Sequence, residues 1–315
     1  MSHHDEASHA EDSHADSQLQ TDLLALARSV SRRDALFLLG GAGTGLVMNG
    51  CGGGSAGGVA AVMSSASSSS ASSATSSASS SSTSSSSSSK SSSSTSSGST
   101  TCSLIPEETA GPYPGDGSNS NSSGVVNALL LSGIVRSDIR SSIAGASGVA
   151  SGVPLTITLE LVTTLNSCKP LAGYAIYLWH CDAAGRYSLY STGVTGENYL
   201  RGVQVTDASG FVSFTTIVPG CYSGRMPHMH FEVYPSLATA TGSSNKIRTS
   251  QIAFPTSVMN TVYAQSAYSG SASNLSQISF ATDNIFSDGY STQLASMSGS
   301  VAAGYTASLQ VGIAV

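Results

Sequence analysis

An all-β domain, folded as an antiparallel β-sandwich with few short helices, is what this sequence predicts, and three observations carry that reading. Leu155-Thr-Ile-Thr-Leu-Glu-Leu161 and Leu309-Gln-Val-Gly-Ile-Ala-Val315 alternate at period two, so one face of each is expected to be buried. Turn residues, above all Gly and Ser, punctuate the chain between short apolar runs, as in Asp207-Ala-Ser-Gly210. Only 256–264 reads as a helix. Many short strands joined by such turns bury their apolar faces by packing sheet on sheet.

In chain order the strand candidates are 129–135, 155–161, 174–181, 211–218, 228–234, 248–254 and 309–315, with the 207–210 turn joining two of them. All twelve tyrosines and the single tryptophan fall after residue 102, so the folded part is expected to be 102–315. There, eight Lys/Arg face eleven Asp/Glu, a net charge of −3. Neither a basic patch nor interleaved basic and aromatic residues point to nucleic acid. Small-molecule chemistry is the expectation.

The first hundred residues read differently. Residues 52–101 are a Gly/Ser-rich tether, and Lys90 is the only charge between 64 and 101. Such a tract buries too little apolar surface to offset the entropy of ordering it. Its serine-rich part would span roughly 30–35 Å as a flexible linker; a glycosylated stalk is the alternative.

Residues 1–51 read as an export signal. Arg32-Arg33 resembles a twin-arginine signal, although Ala35 stands where an aromatic is usual, and an ordinary Sec signal is the alternative. The apolar run 35–48 is too short to span a bilayer. Cys51, followed by Gly52-Gly-Gly54, resembles a lipoprotein cleavage site. The expected location is therefore exported, periplasmic or at the cell surface, with membrane anchoring through a lipidated Cys51; simple secretion after cleavage nearby is the alternative. His3, His4, His9 and His14 precede this signal and are read as part of a solvated leader. Export would leave Cys102, Cys168, Cys181 and Cys221 in an oxidising compartment, where two disulfides in any of three pairings are expected. Cys181 and Cys221 are attractive as braces beside the site residues described next; buried free thiols are the alternative.

The chemistry concentrates in Arg225-Met-Pro-His228-Met-His230. Two histidines two apart in a strand project from one face and can reach a single ion. Tyr187 and Tyr222 add phenols, and phenolate with imidazole suits hard, oxidised iron better than zinc. A non-haem ferric enzyme is the reading. His180, in an alternating apolar strand, is taken as a hydrogen-bonded structural histidine. Tyr190 is taken as a packing residue.

Several ordered segments resemble the intradiol ring-cleavage dioxygenases. Thr109-Ala-Gly-Pro-Tyr113, Val135-Arg-Ser-Asp-Ile-Arg140, the Ala172–Ser188 segment carrying Tyr187, Leu200-Arg-Gly, Thr216-Ile-Val-Pro-Gly-Cys-Tyr222 and Arg225-x-x-His228-x-His230 follow that family's order. Ile252-Ala-Phe-Pro and Asp283-Asn-Ile-Phe are weaker matches. The resemblance implies the family's β-sandwich and Fe(III) held by Tyr187, Tyr222, His228 and His230. It implies a catechol and O2 as substrates, cleavage between the two hydroxyl-bearing carbons, and a muconate-type product. Tyr222 would yield its place to substrate, and Arg225 would be a fixed cation beside the bound ring. Tyr113 would line the pocket, with core packing as the alternative. Cys221 and the short Ser223-Gly224 link depart from the family pattern and imply a more open pocket. A non-catalytic sandwich binding aromatic or carbohydrate ligands is the alternative. A cupin-like metal site fits less well, because Glu232 lies too close to the histidine pair.

Overall fold

The computed structural model describes residues 102–315. The export signal, Cys51 and the tether lie outside the described residues. Among those described, no helix is long and apolar enough to cross a membrane.

Eleven strands and two short helices build the domain. A hairpin, β1 (Asp116–Asn121) and β2 (Gly124–Asn127), comes first. Next are β3 (Pro154–Thr163), β4 (Lys169–Pro170), β5 (Ala175–Trp179), β6 (Arg201–Val205), β7 (Phe211–Ile217), β8 (His228–Tyr234) and β9 (Arg248–Ala253). Helices α1 (Thr256–Val262) and α2 (Ser271–Ser276) precede β10 (Ser296–Ser300) and β11 (Gly304–Ile313).

One sheet runs β10-β11-β3, with β7 and the short β4 both paired to β3; the other runs β6-β5-β8-β9. The expected sandwich is present. It is not purely antiparallel, because β11 lies parallel to β3 from Tyr305 beside Leu155 to Ile313 beside Thr163. Alternation in β3 sends Leu155, Ile157, Leu159 and Leu161 inward, where they meet Ile176, Leu178, Met229, Phe231 and Val233 of the second sheet. Hydroxyl and amide groups cover the solvent face, as in Thr158 with Ser213 and Gln310 with Glu160.

Other expectations need correction. Residues 129–135 are not a strand: 128–130 form a 3-10 turn capped by Asn127, and Val135 makes only an isolated bridge to Val203. The hairpin β1–β2 and strand β6 are additional, and the last strand begins at Gly304 rather than 309. The 207–210 turn is present, with the Asp207 carboxylate accepting from the Ser209 and Phe211 amides and Gly210 at φ +81°. Among the described residues only one disulfide forms, Cys102–Cys168. Cys181 and Cys221 are buried free thiols in different layers, the first in the outer cluster around Trp179 and the second in the sandwich core. Burial pushes both thiols up, Cys221 to about 12.

A second apolar layer covers the outer face of the four-stranded sheet. Ala175, Tyr177 and Trp179 of β5 point into it, together with Val203, Tyr187 and Tyr234. This layer, roofed by the loops at 109–115 and 182–200, is where the histidine face of β8 ends up.

His180 ties the sheets together. Its Nδ1 donates to the Cys181 carbonyl (2.8 Å), so its Nε2 is the acceptor for the Thr216 hydroxyl of β7 (2.6 Å). Burial lowers its pKa to about 4, opposed by the Cys181 carbonyl and reinforced by the Arg201 charge. An unfolded histidine titrates near ~6.5. Between pH 6.5 and 4 the unfolded chain therefore binds a proton at this position that the native state refuses, and stability falls as pH falls through that window. Wild type should lose on the order of 3 kcal/mol more than His180→Gln between pH 7 and pH 4, read by urea denaturation. Equal losses would show that His180 is not held neutral.

The disulfide closes a loop with a sequence separation of 66. Cys168→Ser should lower stability by about 2–4 kcal/mol through the freedom it returns to the unfolded chain, measured in the same assay.

Candidate active site

Strand β8 positions the two central ligand candidates. Its alternation sends Met229, Phe231 and Val233 into the core, and His228 and His230 into the outer layer. The histidine nitrogens Nε2 stand 3.1 Å apart. Tyr187 and Tyr222 arrive from two loops that lie against each other: Gly220 N donates to the Asp182 carbonyl, and a Cβ at Gly220 would stand 2.7 Å from the Ala183 oxygen. The Tyr187 hydroxyl lies 3.2 Å from His230 Nε2, and the Tyr222 hydroxyl 3.1 Å from His228 Nε2. All four predicted ligands are therefore brought together.

Their chemistry suits a cation. His228 Nδ1 donates to the Met226 carbonyl at 2.6 Å, which leaves a lone pair on Nε2. That Nε2 has the Tyr222 oxygen, His230 Nε2 and Arg225 Nη1 within 3.5 Å, more partners than one lone pair can satisfy through hydrogens. Four donors around one ion at bonds of about 2.0 Å would have edges of about 3.3 Å if tetrahedral, close to the spacings seen. Burial holds both imidazoles well below their ordinary pKa, so both are neutral and ligand-competent. Among the described residues, no group of three or more His, Cys, Asp or Glu could hold a metal ion. The phenols complete this set.

Arg225 stands beside the donors and is 6 % exposed. Its Nε donates to Asp283 Oδ2 (3.1 Å), its Nη2 donates to Gln251 Oε1 (2.6 Å), and the Phe286 ring lies 5.9 Å from its Cζ. Asp283 is fully buried and also accepts from the Met226, Ile285 and Phe286 amides. Burial works against this cation, but Tyr222, Asp283 and Tyr187 outweigh it and raise the pKa. The charge is permanent and fixed in direction.

Register explains much of the rest. Arg201 of β6, Trp179 of β5, His230 of β8 and Gln251 of β9 are successive cross-strand neighbours, one row across the outer face. Trp179 stacks on His230 with centroids 5.0 Å apart and planes within 6°. Residues 109–115 cross over this row. Gly111, at φ +69°, passes so close that a Cβ there would stand 3.3 Å from His230 Cε1. The Tyr113 ring lies 5.2 Å from Tyr187 and 5.1 Å from Tyr190, which places Tyr113 at the site. Tyr190 does more than pack: its hydroxyl accepts from Gly115 N and donates to Asn119. Sequence reasoning missed Gln251 and Asp283 as supports of Arg225, although Ile252-Ala-Phe-Pro and Asp283-Asn-Ile-Phe marked both neighbourhoods.

The family model described as "Dioxygenase" matches residues 140–292, which contain all four converging side chains and Arg225. An intradiol ring-cleavage dioxygenase from Tetranychus urticae is similar in structure at 26 % identity, over 68 % of this chain and 95 % of that one, with a TM-score of 0.51. The chain belongs to the intradiol ring-cleavage dioxygenases. The dioxygenase domain of a carbohydrate-binding fusion from Streptomyces sp. SirexAA-E is similar at 23 % identity over 68 % of this chain and 99 % of that one (TM-score 0.42). Catechol 1,2-dioxygenase from Pseudomonas arvilla C-1 is similar at 18 % over 66 % and 61 % (TM-score 0.38). Comparison with curated protein sequences finds no match. Intradiol dioxygenases cleave catechols and use non-haem iron.

In this dioxygenase, Asp283→Asn should leave Arg225 buried without its counter-charge. The expected cost is about 3–5 kcal/mol of stability, with a fall in oxygen uptake exceeding any fall in iron content. Denaturation, iron analysis and an oxygen electrode read the three quantities.

Proposed function

We propose that the domain is a non-haem Fe(III) dioxygenase that uses O2 to cleave a catechol between its two hydroxyl-bearing carbons, giving a muconate-type product. The observation that carries this reading is the convergence of Tyr187, Tyr222, His228 and His230 at spacings of 3.1–3.2 Å beside a buried arginine. These four residues would hold the iron. When bound, it would keep the phenols ionised, hold the catechol and make the ring reactive toward O2.

The chain's own groups supply the rest. His228 and His230 enter neutral, so the two phenolates carry the negative charge of the ligand set. Tyr222, half-buried where Tyr187 is buried, is the phenol that would leave when substrate arrives, and it would take a substrate proton at its oxygen. Arg225 cannot give up its charge and is held by Asp283 and Gln251. It would stabilise negative charge developing on the ring and the incoming oxygen without reorienting. Trp179 and Gly111 close over His230 and exclude water from that side.

The same proposal extends to location. Residues 1–51 would direct export, Cys51 would carry a lipid anchor, and 52–101 would tether the enzyme at the cell surface or in the periplasm.

Replacing Tyr187, His228 or His230 by a non-ligand should lower iron content, read by elemental analysis; full iron in every such variant would remove the site from these residues. Arg225→Ala should retain iron and the visible phenolate-to-iron band, with catechol still shifting it. Turnover should fall roughly a hundred- to a thousandfold, the effect of losing one preorganised charge-stabilising group. Near-normal oxygen uptake would reassign Arg225 to a structural role.

A further inference from the structure

Among the buried charged side chains of the described residues, Arg201 alone has no ion-pair partner. It is 1 % exposed, whereas buried Asp116, Asp182, Arg225, Glu232 and Asp283 are all paired. Its five N–H donors are used on neutral acceptors. Nε donates to Ser188 Oγ (3.1 Å); Nη1 donates to the Pro114 carbonyl (2.8 Å) and the Tyr177 hydroxyl (3.1 Å); Nη2 donates to the Tyr113 carbonyl (2.9 Å) and the Ser188 carbonyl (3.0 Å). The Tyr190 ring lies 5.5 Å from its Cζ. Arginine cannot neutralise itself, and a buried charge without a partner is costly. An apolar side chain of the same volume would fill the space without that cost, so the donors themselves are what the position requires.

What those donors join gives the reason. Tyr113 and Pro114 belong to the strap that crosses His230, and Ser188 follows Tyr187. The strap is fastened at two places by the two ends of one cross-strand row. Gln251 Nε2 donates to the Thr109 carbonyl (3.1 Å) at one end, and Arg201 holds the Tyr113 and Pro114 carbonyls at the other. Tyr177 reinforces the second fastening, its hydroxyl donating to Pro114 O at 2.7 Å.

We propose that Arg201 is a positioning residue for the catechol site, locking the Tyr113–Pro114 strap to the Tyr187–Ser188 turn so that pocket wall and first phenol are held as one unit. This rests on the proposed ferric catechol site and adds a determinant of its geometry. The role needs the planar fork, because three separate backbone carbonyls and two hydroxyls are reached at once; an ammonium, with three donors on one atom, cannot span them.

The test uses the full iron-loaded chain with catechol, comparing wild type, Arg201→Lys, Arg201→Met and Tyr177→Phe. Tyr268→Phe serves as a control that removes hydrogen bonds to Val153 and Val218 in the sandwich core. Oxygen uptake gives KM and kcat, visible spectra give the position of the phenolate band, and thermal melts report stability. Both Arg201 variants are expected to raise KM about tenfold or more, since displacements near 1 Å can cost that and more. They should also shift the phenolate band, because Tyr187 is no longer held. Lysine should not rescue either quantity, and Tyr177→Phe should move both in the same direction by less. The control should melt earlier with KM and band unchanged. Arg201 variants that melt earlier but keep the wild-type KM and band would overturn the proposal, as would full rescue by lysine. If neither Arg201 variant folds, a wild-type KM and band in Tyr177→Phe overturns it. A wild-type chain that binds iron without colour or turnover would remove the ferric site itself, and this role with it.

Discussion

A single strand, β8, has to satisfy two environments at once, and the two-residue period of its backbone is what makes that possible. Met229, Phe231 and Val233 meet the other sheet in the sandwich core, while His228 and His230 stand on the opposite face among aromatic rings. A one-residue slip in register would exchange the two sets and place imidazoles in an apolar core. The core therefore does more than stabilise the domain. By fixing which face of β8 is inward, it fixes where the imidazole nitrogens of the proposed metal centre point, and pairing to β5 and β9 then brings Trp179 and Gln251 to His230.

The outer layer carries an unusual load of buried charge, and each case is managed locally. Arg225 is matched by Asp283 and Gln251. Lys246 bridges Glu232 and Asp116, which ties strand β8 to the first hairpin. Burial still pushes Glu232 up to about 7, with Lys246 opposing and Asp116 adding to the effect. Glu108 is likewise raised to about 7, by burial first and then by the nearby Asp288. In both carboxyls burial acts against a cationic neighbour, Lys246 for Glu232 and Arg225 for Glu108.

Much of this was legible in the sequence because two signals are strong at short range. Period-two alternation marked β3, β5, β7, β8 and β9 to within a residue or two, and the His-x-His pair lay wholly inside one of them. The tyrosines were legible through ordered motifs, since nothing local distinguishes Tyr187 from Tyr190 three residues on. What escaped reading depended on long-range partners. Residues 129–135 have the apolar content of a strand but find only one bridge to β6. The polar β1–β2 hairpin, Asp-Gly-Ser-Asn-Ser-Asn against Gly-Val-Val-Asn, lacks alternation and is held by contacts made elsewhere. The cysteine pairing likewise rests on a long-range meeting: Cys102 and Cys168 come together at the end of β3, while Cys181 and Cys221 stay buried free thiols.

The parallel pairing of β11 with β3 bears on how the domain comes into being. Its partners, such as Glu160 and Gln310, are separated by 150 positions. Sheet closure must wait until nearly all the intervening chain is available, including every residue of the proposed metal centre. Until then β3 has an open edge and the inward row from Leu155 to Leu161 has lost part of its cover. Non-local pairing of this kind slows folding and prolongs exposure of aggregation-prone strands. The solvent faces of these two strands carry threonine, serine, glutamate and glutamine, side chains that keep one side of the waiting strand wettable while the other stays sticky. An assembly pathway that delivers β11 promptly would therefore matter to yield as much as the stability of the finished enzyme.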